Sequence, residues 1–262
     1  PTMTLSPSDL AKKAAADAAV AFVQDGMRLG LGTGSTAAFM VRRLGERVRE
    51  EGLRIVGVPT SSRTAELARA EGIRVVTLDQ AGWLDITIDG ADEFDRDLTL
   101  IKGGGGAHLQ EKVVAAASDR MIVITDPAKR VPRLGAFPLP VEALHFGLAS
   151  TIRHIGGALA GLGYGERAIT RRMAGEAPFV SDEGNAILDL HLGAIADPRA
   201  LSQALNQIPG VVENGLFINM SDLVVIGHTD GRAEIVEAEP GLAASLRVVR
   251  PAKDNPFADI GD

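Results

Sequence analysis

Short apolar runs alternate with segments of helical period along the first half of the chain, and this alternation constrains the fold more than any other feature. The predicted strands are residues 27–31, 54–58, 73–78 and 84–88, and the predicted helices are residues 8–23, 37–48 and 60–70. Short connections between alternating strands and helices favour a parallel sheet with helices on both faces. We therefore predict an α/β fold with a Rossmann-like, mostly parallel sheet, in which ligands bind at the carboxyl ends of the strands.

A second pattern begins after residue 130. Three prolines within residues 131–140 indicate a crossing between domains. The order βαββαβ over residues 139–218 then predicts a small α+β, ferredoxin-like domain. Apolar runs at residues 223–227 and 233–236 would return to the first sheet. The predicted division is residues 1–130 and 221–238 as a Rossmann-like catalytic domain, 131–220 as a small α+β domain and oligomer contact, and 239–262 as an extended C-terminal tail.

The composition excludes several classes of partner. A formal net charge of -7 and a pI near 5.3 argue against non-specific attraction to nucleic acid or to an anionic membrane. The chain has no cysteine, so it has neither disulfides nor a thiolate metal site, which fits a reducing cytoplasm. No stretch approaches the length of a membrane span. We expect a cytoplasmic protein that binds a small molecule, with no nucleic-acid and no membrane partner.

A glycine-rich turn follows the first predicted strand. It reads Gly32-Thr33-Gly34-Ser35-Thr36 and leads into a helix, where backbone N–H groups and hydroxyls favour phosphate. Lys12 in the preceding helix would add positive charge. The spacing Gly32-x-Gly34-x-x-Ala37 also matches a dinucleotide fingerprint, but that fingerprint needs an acidic residue after the next strand, and residues 59–62 have none. A tight turn without a ligand is the remaining alternative.

Residues 86–112 concentrate the potential chemistry of the chain. They contain Asp89, Asp92, Lys102, four consecutive glycines at 103–106, and Glu111. Moving a hydrogen between adjacent carbons of a sugar needs a carboxylate base, a cation that stabilises the enediolate, and groups that move oxygen-bound protons. These residues supply each type: Glu111 as the base, Lys102 as the cation, and Asp89 and Asp92 as the polar pair.

Simpler interpretations exist for the same residues. Asp89 and Asp92 are also typical turn formers, Lys102 is also a plausible strand-end charge, and Glu111 is also favoured in the first turn of a helix by the helix dipole. Asp89 and Asp92 with Glu93 would suit a divalent cation. Because no further acidic cluster is near, we expect no metal.

Several separated segments resemble the ribose-5-phosphate isomerase type A family. They are GLGTGSTA at 30–37, the SSxT pattern at 61–64, DGADE at 89–93, IKGGGG at 101–106, EK at 111–112 and FPLPVE at 137–142. The resemblance runs in order from about Leu10 to Val236. It implies interconversion of D-ribose 5-phosphate and D-ribulose 5-phosphate through a cis-enediolate, a step of the non-oxidative pentose phosphate pathway. It also implies no metal or organic cofactor, and a homodimer or homotetramer.

The resemblance also implies roles for single residues. Glu111 would move the proton between C2 and C1, while Asp89, Asp92 and Lys102 would assist ring opening and stabilise the enediolate. The implied substrate-binding residues are Lys12, Thr33, Gly34, Ser35, Thr36, Gly103, Gly104 and Lys129. His108, beside the glycines, stands where the family has smaller or hydroxyl-bearing residues, and we expect it to line or pack the loop.

Two other functions remain open on the sequence. A non-catalytic sugar-phosphate-sensing domain would need the phosphate turn but not a base, a cation and an acid pair together. A CoA or acyl transferase would use Glu111 as a covalent nucleophile.

Overall fold

A computed structural model describes residues 5–238, which fall into two compact units. Among the described residues, unit 1 contains 5–90, Gln110–Pro127 and 219–238. Unit 2 contains Ala91–Leu109 and Ala128–Ile218. Residues 91–109, which the sequence predicts in the catalytic domain, belong to unit 2. The predicted tail at 239–262 lies outside the described residues.

The helices and strands are numbered here in chain order. The helices are α1 (Pro7–Val20), α2 (Ser35–Glu51), α3 (Ser62–Ala70), α4 (Leu78–Ala81), α5 (His108–Ala116), α6 (Leu148–Gly161) and α7 (Pro198–Asn206). The strands are β1 (Arg28–Leu31), β2 (Val56–Pro59), β3 (Arg74–Val75), β4 (Leu84–Asp89), β5 (Glu93–Phe94), β6 (Leu100–Ile101), β7 (Ser118–Thr125), β8 (Leu139–Ala143), β9 (Ile169–Arg171), β10 (Met173–Ala174), β11 (Ala177–Pro178), β12 (Ala186–Leu190), β13 (Val211–Asn214), β14 (Leu216–Phe217), β15 (Leu223–Gly227) and β16 (Ala233–Glu237). Across residues 5–238, every helix is too short or too polar to cross a membrane.

Unit 1 is built on a seven-stranded sheet in the order β16-β15-β7-β4-β1-β2-β3. All neighbouring strands are parallel except the edge pair of β15 and β16. This confirms the predicted parallel α/β fold and the return of the last two strands to the first sheet. From β1 the chain builds outward through β2 and β3, and it later builds in the other direction through β4 and β7. The topological switch point, at which the strand order reverses, therefore lies between β1 and β4. Ligands bind at this point in sheets of this kind.

The core of unit 1 explains why these segments form its central elements. The central strands are apolar and buried, as expected for a parallel sheet covered on both faces. Leu31, Ile88 and Ile124 belong to one buried cluster with Met40 of α2 and Ala15 of α1. Fully burying a side chain such as Leu or Ile stabilises the fold by about 1.5–3 kcal/mol. This cluster therefore stabilises the centre of the sheet, where β1 and β4 are neighbours.

Unit 2 contains a four-stranded antiparallel sheet in the order β13-β8-β12-β9. Helix α6 joins β8 to β9, and α7 joins β12 to β13, so each helix links two strands that flank a third. This is the predicted split-βαβ, ferredoxin-like arrangement. Its apolar residues form a second buried cluster that includes Leu139, Val141, Leu188 and Leu201.

Two predicted strands were wrong in extent. The strand predicted at 73–78 is only β3, because Thr77 caps the short helix α4 through a capping box with Gln80. The strand predicted at 211–218 divides at Gly215 into β13 and β14, and β14 pairs with β6 in a separate three-stranded sheet. A side chain at Gly215 would collide with the carbonyl of Lys102, so only glycine permits this close approach.

Candidate active site

Asp89 is the last residue of β4 and is fully buried beside the glycine-rich turn. Its Oδ1 accepts the N–H of Thr33 at 3.1 Å and the N–H of Gly90 at 2.7 Å. The N–H of Gly32 donates to the carbonyl of Ile88 at 2.9 Å, which continues the ladder between β1 and β4. A Cβ at Gly32 would collide with the Asp89 carboxylate. Glycine at position 32 therefore allows a buried carboxylate to lie against the turn at the switch point.

The hydroxyl of Thr33 joins this turn to the loop after β2. Its Oγ1 lies 2.8 Å from the hydroxyl oxygen of Thr60, 2.9 Å from that of Ser61 and 3.2 Å from that of Thr64. Ser61 also caps α3 by accepting the N–H of Thr64 at 3.1 Å. These three side chains are not among the site residues predicted from the sequence, although the SSxT pattern at 61–64 contains two of them. They hold Thr33 in the position from which its N–H reaches Asp89.

The first turn of α2 presents unused donors. The helix begins at Ser35, two residues earlier than predicted, and its first turn contains no acidic side chain. Gly34 and Ser35 are exposed and Thr36 is half-buried. The first N–H groups of a helix have no intrahelical acceptor, and the helix dipole makes this end positive. The turn can therefore receive a phosphate.

The two lysines predicted to bind substrate are half-buried. Lys12 lies on α1, with its Nζ 3.7 Å from Asp9 Oδ1. A partly exposed ion pair of this kind contributes about 0–1 kcal/mol, so a ligand can compete for the ammonium group at little cost. Lys129 ends a single 3₁₀ turn that follows β7. Their roles as substrate ligands stay predictions.

Helix α5 positions Glu111 in unit 1. The N–H of Leu84, at the start of β4, donates to the carbonyl of Ala117 just after α5 at 2.9 Å. Val114 packs over Gly30, where a Cβ would collide with it, so α5 runs antiparallel to β4. Glu111 lies one turn before Val114 on the same helix face, toward the carboxyl ends of the strands. It is 5% exposed. Packing thus brings Glu111 to the sheet edge at which β4 ends.

Asp92 and Lys102 belong to unit 2. Asp92 directly precedes β5 and Lys102 directly follows β6, so the two residues lie opposite each other next to the last residue pair of these strands. The N–H of Asp92 donates to the carbonyl of Ile101 at 2.8 Å, and the N–H of Lys102 donates to that of Gly215 at 2.9 Å. Lys102 is 2% exposed, and its Nζ lies 5.5 Å from the centre of the Phe217 ring. The antiparallel pairing of β5 and β6 therefore places the acid Asp92 beside the cation Lys102 on the neighbouring strand.

The glycine run is constrained at three of its four positions. Gly103 and Gly106 have φ angles of 109° and 79°, which side-chain-bearing residues rarely adopt. Gly104 donates its N–H to Asp92 Oδ2 at 2.7 Å, and a Cβ there would lie 2.6 Å from Asp92 Oδ1. Gly105 is exposed and has open space around it. The run therefore forms a tight turn whose backbone holds the Asp92 carboxylate.

Glu93 and His108 have structural positions. The two carboxylate oxygens of Glu93 accept the N–H groups of Gly135 at 2.7 Å and Phe137 at 2.6 Å. Because both oxygens are already bonded, Glu93 is poorly suited to bind a divalent cation. His108 is buried and its ring packs against Gly103, as the sequence predicted. Within residues 5–238, no three histidine, aspartate or glutamate side chains are grouped as a metal site requires.

The chain is similar in sequence to named isomerases. Residues 56–231 match the family described as ribose 5-phosphate isomerase A (phosphoriboisomerase A). The ribose-5-phosphate isomerase A of Cereibacter sphaeroides strain ATCC 17023 is 63% identical over 258 residues, which cover 98% of each chain. The protein of the same name from Ruegeria pomeroyi is 59% identical over 261 residues, covering 100% of both chains.

Solved structures are similar over most of the chain. Ribose 5-phosphate isomerase A from Methanocaldococcus jannaschii has a TM-score of 0.78 and 41% identity, covering 88% of this chain and 100% of that one. Ribose 5-phosphate isomerase from Plasmodium falciparum has a TM-score of 0.82 and 34% identity, covering 88% and 98%. A D-ribose-5-phosphate isomerase in complex with phospho-erythronic acid has a TM-score of 0.80 and 36% identity, covering 87% and 98%.

Proposed function

Because this chain belongs to the ribose 5-phosphate isomerase A family, we propose that it interconverts D-ribose 5-phosphate and D-ribulose 5-phosphate with Glu111 as the base. The observation that carries the assignment of the base is the burial of Glu111 in the first turn of α5, on the helix face that packs on the sheet of unit 1 through Val114. The sensing and acyl-transfer alternatives are not favoured, because the named relatives are isomerases. The direct test is whether metal-stripped protein converts ribose 5-phosphate to the ketose.

The chemistry is a proton transfer between adjacent carbons. After the sugar ring opens, the Glu111 carboxylate takes the proton from C2, and the C2–H electrons form a C1–C2 double bond as the C1 carbonyl becomes an enediolate oxygen. The protonated Glu111 then returns the proton to C1, while the O2 proton is transferred to O1, so that O2 becomes the ketone oxygen and O1 becomes the C1 hydroxyl. A single carboxylate thus acts first as base and then as acid, and no atom is gained or lost. No organic cofactor enters this scheme.

Asp89, Asp92 and Lys102 complete the proposed chemistry. Ring opening and the enediolate step both require protons to move on and off sugar oxygens, which is work suited to carboxyl groups. A buried ammonium group stabilises developing negative charge more strongly than an exposed one, because water screens it less. We assign the first role to Asp89 and Asp92 and the second to Lys102, with Gly103, Gly104 and Lys129 contributing to sugar binding.

The phosphate of the substrate is assigned to the first turn of α2. The donors at the exposed Gly34 and Ser35 and the half-buried Thr36, and the positive charge of Lys12, support this assignment. In the related isomerase bound to phospho-erythronic acid, the ligand has a planar, anionic carboxylate at one end. This carboxylate stands in for the planar, anionic enediolate. A ligand of this class is expected to bind here as well.

Thr36→Ala tests the phosphate assignment. We expect it to raise KM for ribose 5-phosphate roughly tenfold or more, because a hydrogen bond to a charged group contributes about 1.5–3 kcal/mol. Free ribose, which has no phosphate, is the internal control, and its kcat/KM is expected to change much less. Steady-state kinetics with both sugars make the comparison. An equal loss with the two sugars would remove Thr36 from the phosphate site.

We also propose that the protein is a homodimer or homotetramer with contacts made by residues 131–220. Phe146 is 92% exposed and Leu144 is 45% exposed, and large apolar side chains exposed to this degree are typical of interfaces. Light scattering after size-exclusion chromatography is expected to give at least twice the chain mass of 27.4 kDa. Phe146→Ser is expected to shift the protein toward smaller species. A wild-type monomer at micromolar concentration would contradict the proposal.

The cellular assignments are the cytoplasm and the non-oxidative pentose phosphate pathway. The absence of cysteine from the sequence supports the first, since a reducing compartment makes no use of disulfides. The substrate class supports the second.

A further inference from the structure

The glycine run is held within unit 2 by an arginine to which no role has been assigned. Arg172, between β9 and β10, donates from Nη1 to the carbonyl of Gly103 at 2.6 Å and to the carbonyl of Gly104 at 3.2 Å. Its Nε and Nη2 donate to the two carboxylate oxygens of Asp189 at 2.9 and 2.5 Å. The Arg172 and Asp189 side chains are only 13% and 16% exposed. The guanidinium group is thus fixed on one side by Asp189 and is directed at the loop on the other.

The backbone and ring contacts around Arg172 fix its position beside the glycine run. The N–H of Arg172 donates to Ile187 at 2.8 Å, and its carbonyl accepts the N–H of Phe179 at 2.9 Å, so Arg172 and Phe179 face each other at the base of the β10–β11 hairpin. The guanidinium carbon lies 6.0 Å from the centre of the Phe179 ring. A Cβ at Gly106 would collide with the same ring. The hairpin base therefore contacts both ends of the glycine run.

The orientation of two peptide groups follows from these bonds. No cis peptide occurs in residues 5–238, and in a trans peptide the C=O and the following N–H point in opposite directions. When the carbonyl of Gly103 points to Arg172, the N–H of Gly104 points away from it, and this N–H reaches Asp92 Oδ2 at 2.7 Å. The carbonyl of Gly104 also points to Arg172, so the N–H of Gly105 is directed to the same side as Asp92.

Arginine is suited to this task in a way that lysine is not. The planar guanidinium presents several N–H donors in a fixed fork, which here bonds a carboxylate with two atoms and two carbonyls with a third. A donor bonded to a carbonyl also polarises the peptide group, which strengthens the hydrogen bond made by the N–H at its other end. Arg172 thus both orients and strengthens the bond between Gly104 and Asp92.

We infer that Arg172 is a positioning residue for the isomerisation, acting through the glycine run on the carboxylate of Asp92. This inference rests on the proposed function, because Asp92 matters only if the chain is an isomerase. We assign Arg172 no contact with the reacting carbons. Its contribution is to keep the Asp92 carboxylate in the geometry that the proton transfers require.

The test is a set of variants assayed with ribose 5-phosphate. Arg172→Met keeps the length of the side chain but removes every donor, and we expect kcat to fall about 10- to 100-fold, as for a misplacement of roughly 1 Å. KM is expected to change less than about threefold, because the phosphate anchor is untouched. Arg172→Lys keeps the positive charge but loses the planar set of N–H donors. We therefore expect its kcat to lie between those of Arg172→Met and the wild type. Arg171→Met is the matched control, since Arg171 bonds His145 rather than the glycine run.

A double-mutant cycle with Asp92→Asn separates positioning from a general structural effect. If Arg172 acts through Asp92, Arg172→Met should lower kcat by less than about threefold in the Asp92→Asn background. Full additivity would overturn the inference, as would a wild-type kcat in Arg172→Met or an equal loss in Arg171→Met. If Arg172→Met fails to fold, Asp189→Asn replaces it, and an unchanged kcat in that variant overturns the inference. An inactive wild type would instead contradict the proposed function.

Discussion

Replacing Glu111 with glutamine is expected to lower kcat for ribose 5-phosphate isomerisation by about 10²–10⁴-fold, the range typical of losing a general base. Glutamine has nearly the same shape as glutamate but has no carboxylate to accept the C2 proton. Glu111 is buried in the first turn of α5. KM should change little, since the phosphate anchor is formed by other residues. Ketose formation by metal-stripped protein gives the rate.

Isotope exchange makes this result specific to the proton transfer. In D₂O the wild-type protein is expected to place solvent deuterium on C1 of the ketose, because the protonated carboxylate exchanges with solvent. Glu111→Gln should lose this incorporation together with the rate. Glu66→Gln, on the exposed face of α3, is the matched control and is expected to match the wild type. A Glu111→Gln variant as fast as the wild type would contradict the assignment of the base.

Replacing Gly32 with alanine is expected to damage both stability and activity. The added Cβ would collide with the carboxylate of Asp89 and with its Cα, so β1 and β4 must separate locally. Overpacking of this kind costs about 1–3 kcal/mol of unfolding free energy. Because the Asp89 carboxylate must also move, kcat is expected to fall about 10²-fold. Thermal unfolding and steady-state kinetics measure the two effects.

Gly90 supplies the matched control for this stability effect, since it flanks Asp89 on the other side. A Cβ at Gly90 would approach only the carbonyl oxygen of Ile124, at an ordinary contact distance of 3.8 Å. Gly90→Ala should therefore leave the unfolding temperature nearly unchanged. If Gly32→Ala were as stable as Gly90→Ala, the close approach of the turn to Asp89 would not be a constraint on the fold.

Much of the fold was predictable because its signals are local. The apolar runs of β1 and β4 and the helical period of α2 depend on neighbouring residues, and the parallel sheet follows from their alternation. The ferredoxin-like sheet of unit 2 was predictable for the same reason. The position of Glu111 near the first turn of a helix was also predictable, since α5 begins three residues before it.

Two of the differences originate in contacts distant along the chain. Residues 91–109 directly follow β4 of the first sheet, but β6 within this segment pairs with β14, more than a hundred residues later, and β5 pairs with β6, so the segment belongs to unit 2. The division of the predicted strand at Gly215 depends on its contact with Lys102. No local pattern contains either contact.

The sequence by itself determined the chemical types available to the site: a carboxylate at 111, an acid pair at 89 and 92, a lysine at 102, and glycines at 32 and 103–106. It also determined the α/β class, because the periodicity of apolar residues depends only on neighbouring positions in the chain. Only the tertiary structure decided that Gly32 and Asp89 meet at the switch point and that Arg172 holds the glycine run. These contacts depend on which segments pack together. Packing is driven by the burial of apolar surface and not by proximity along the chain.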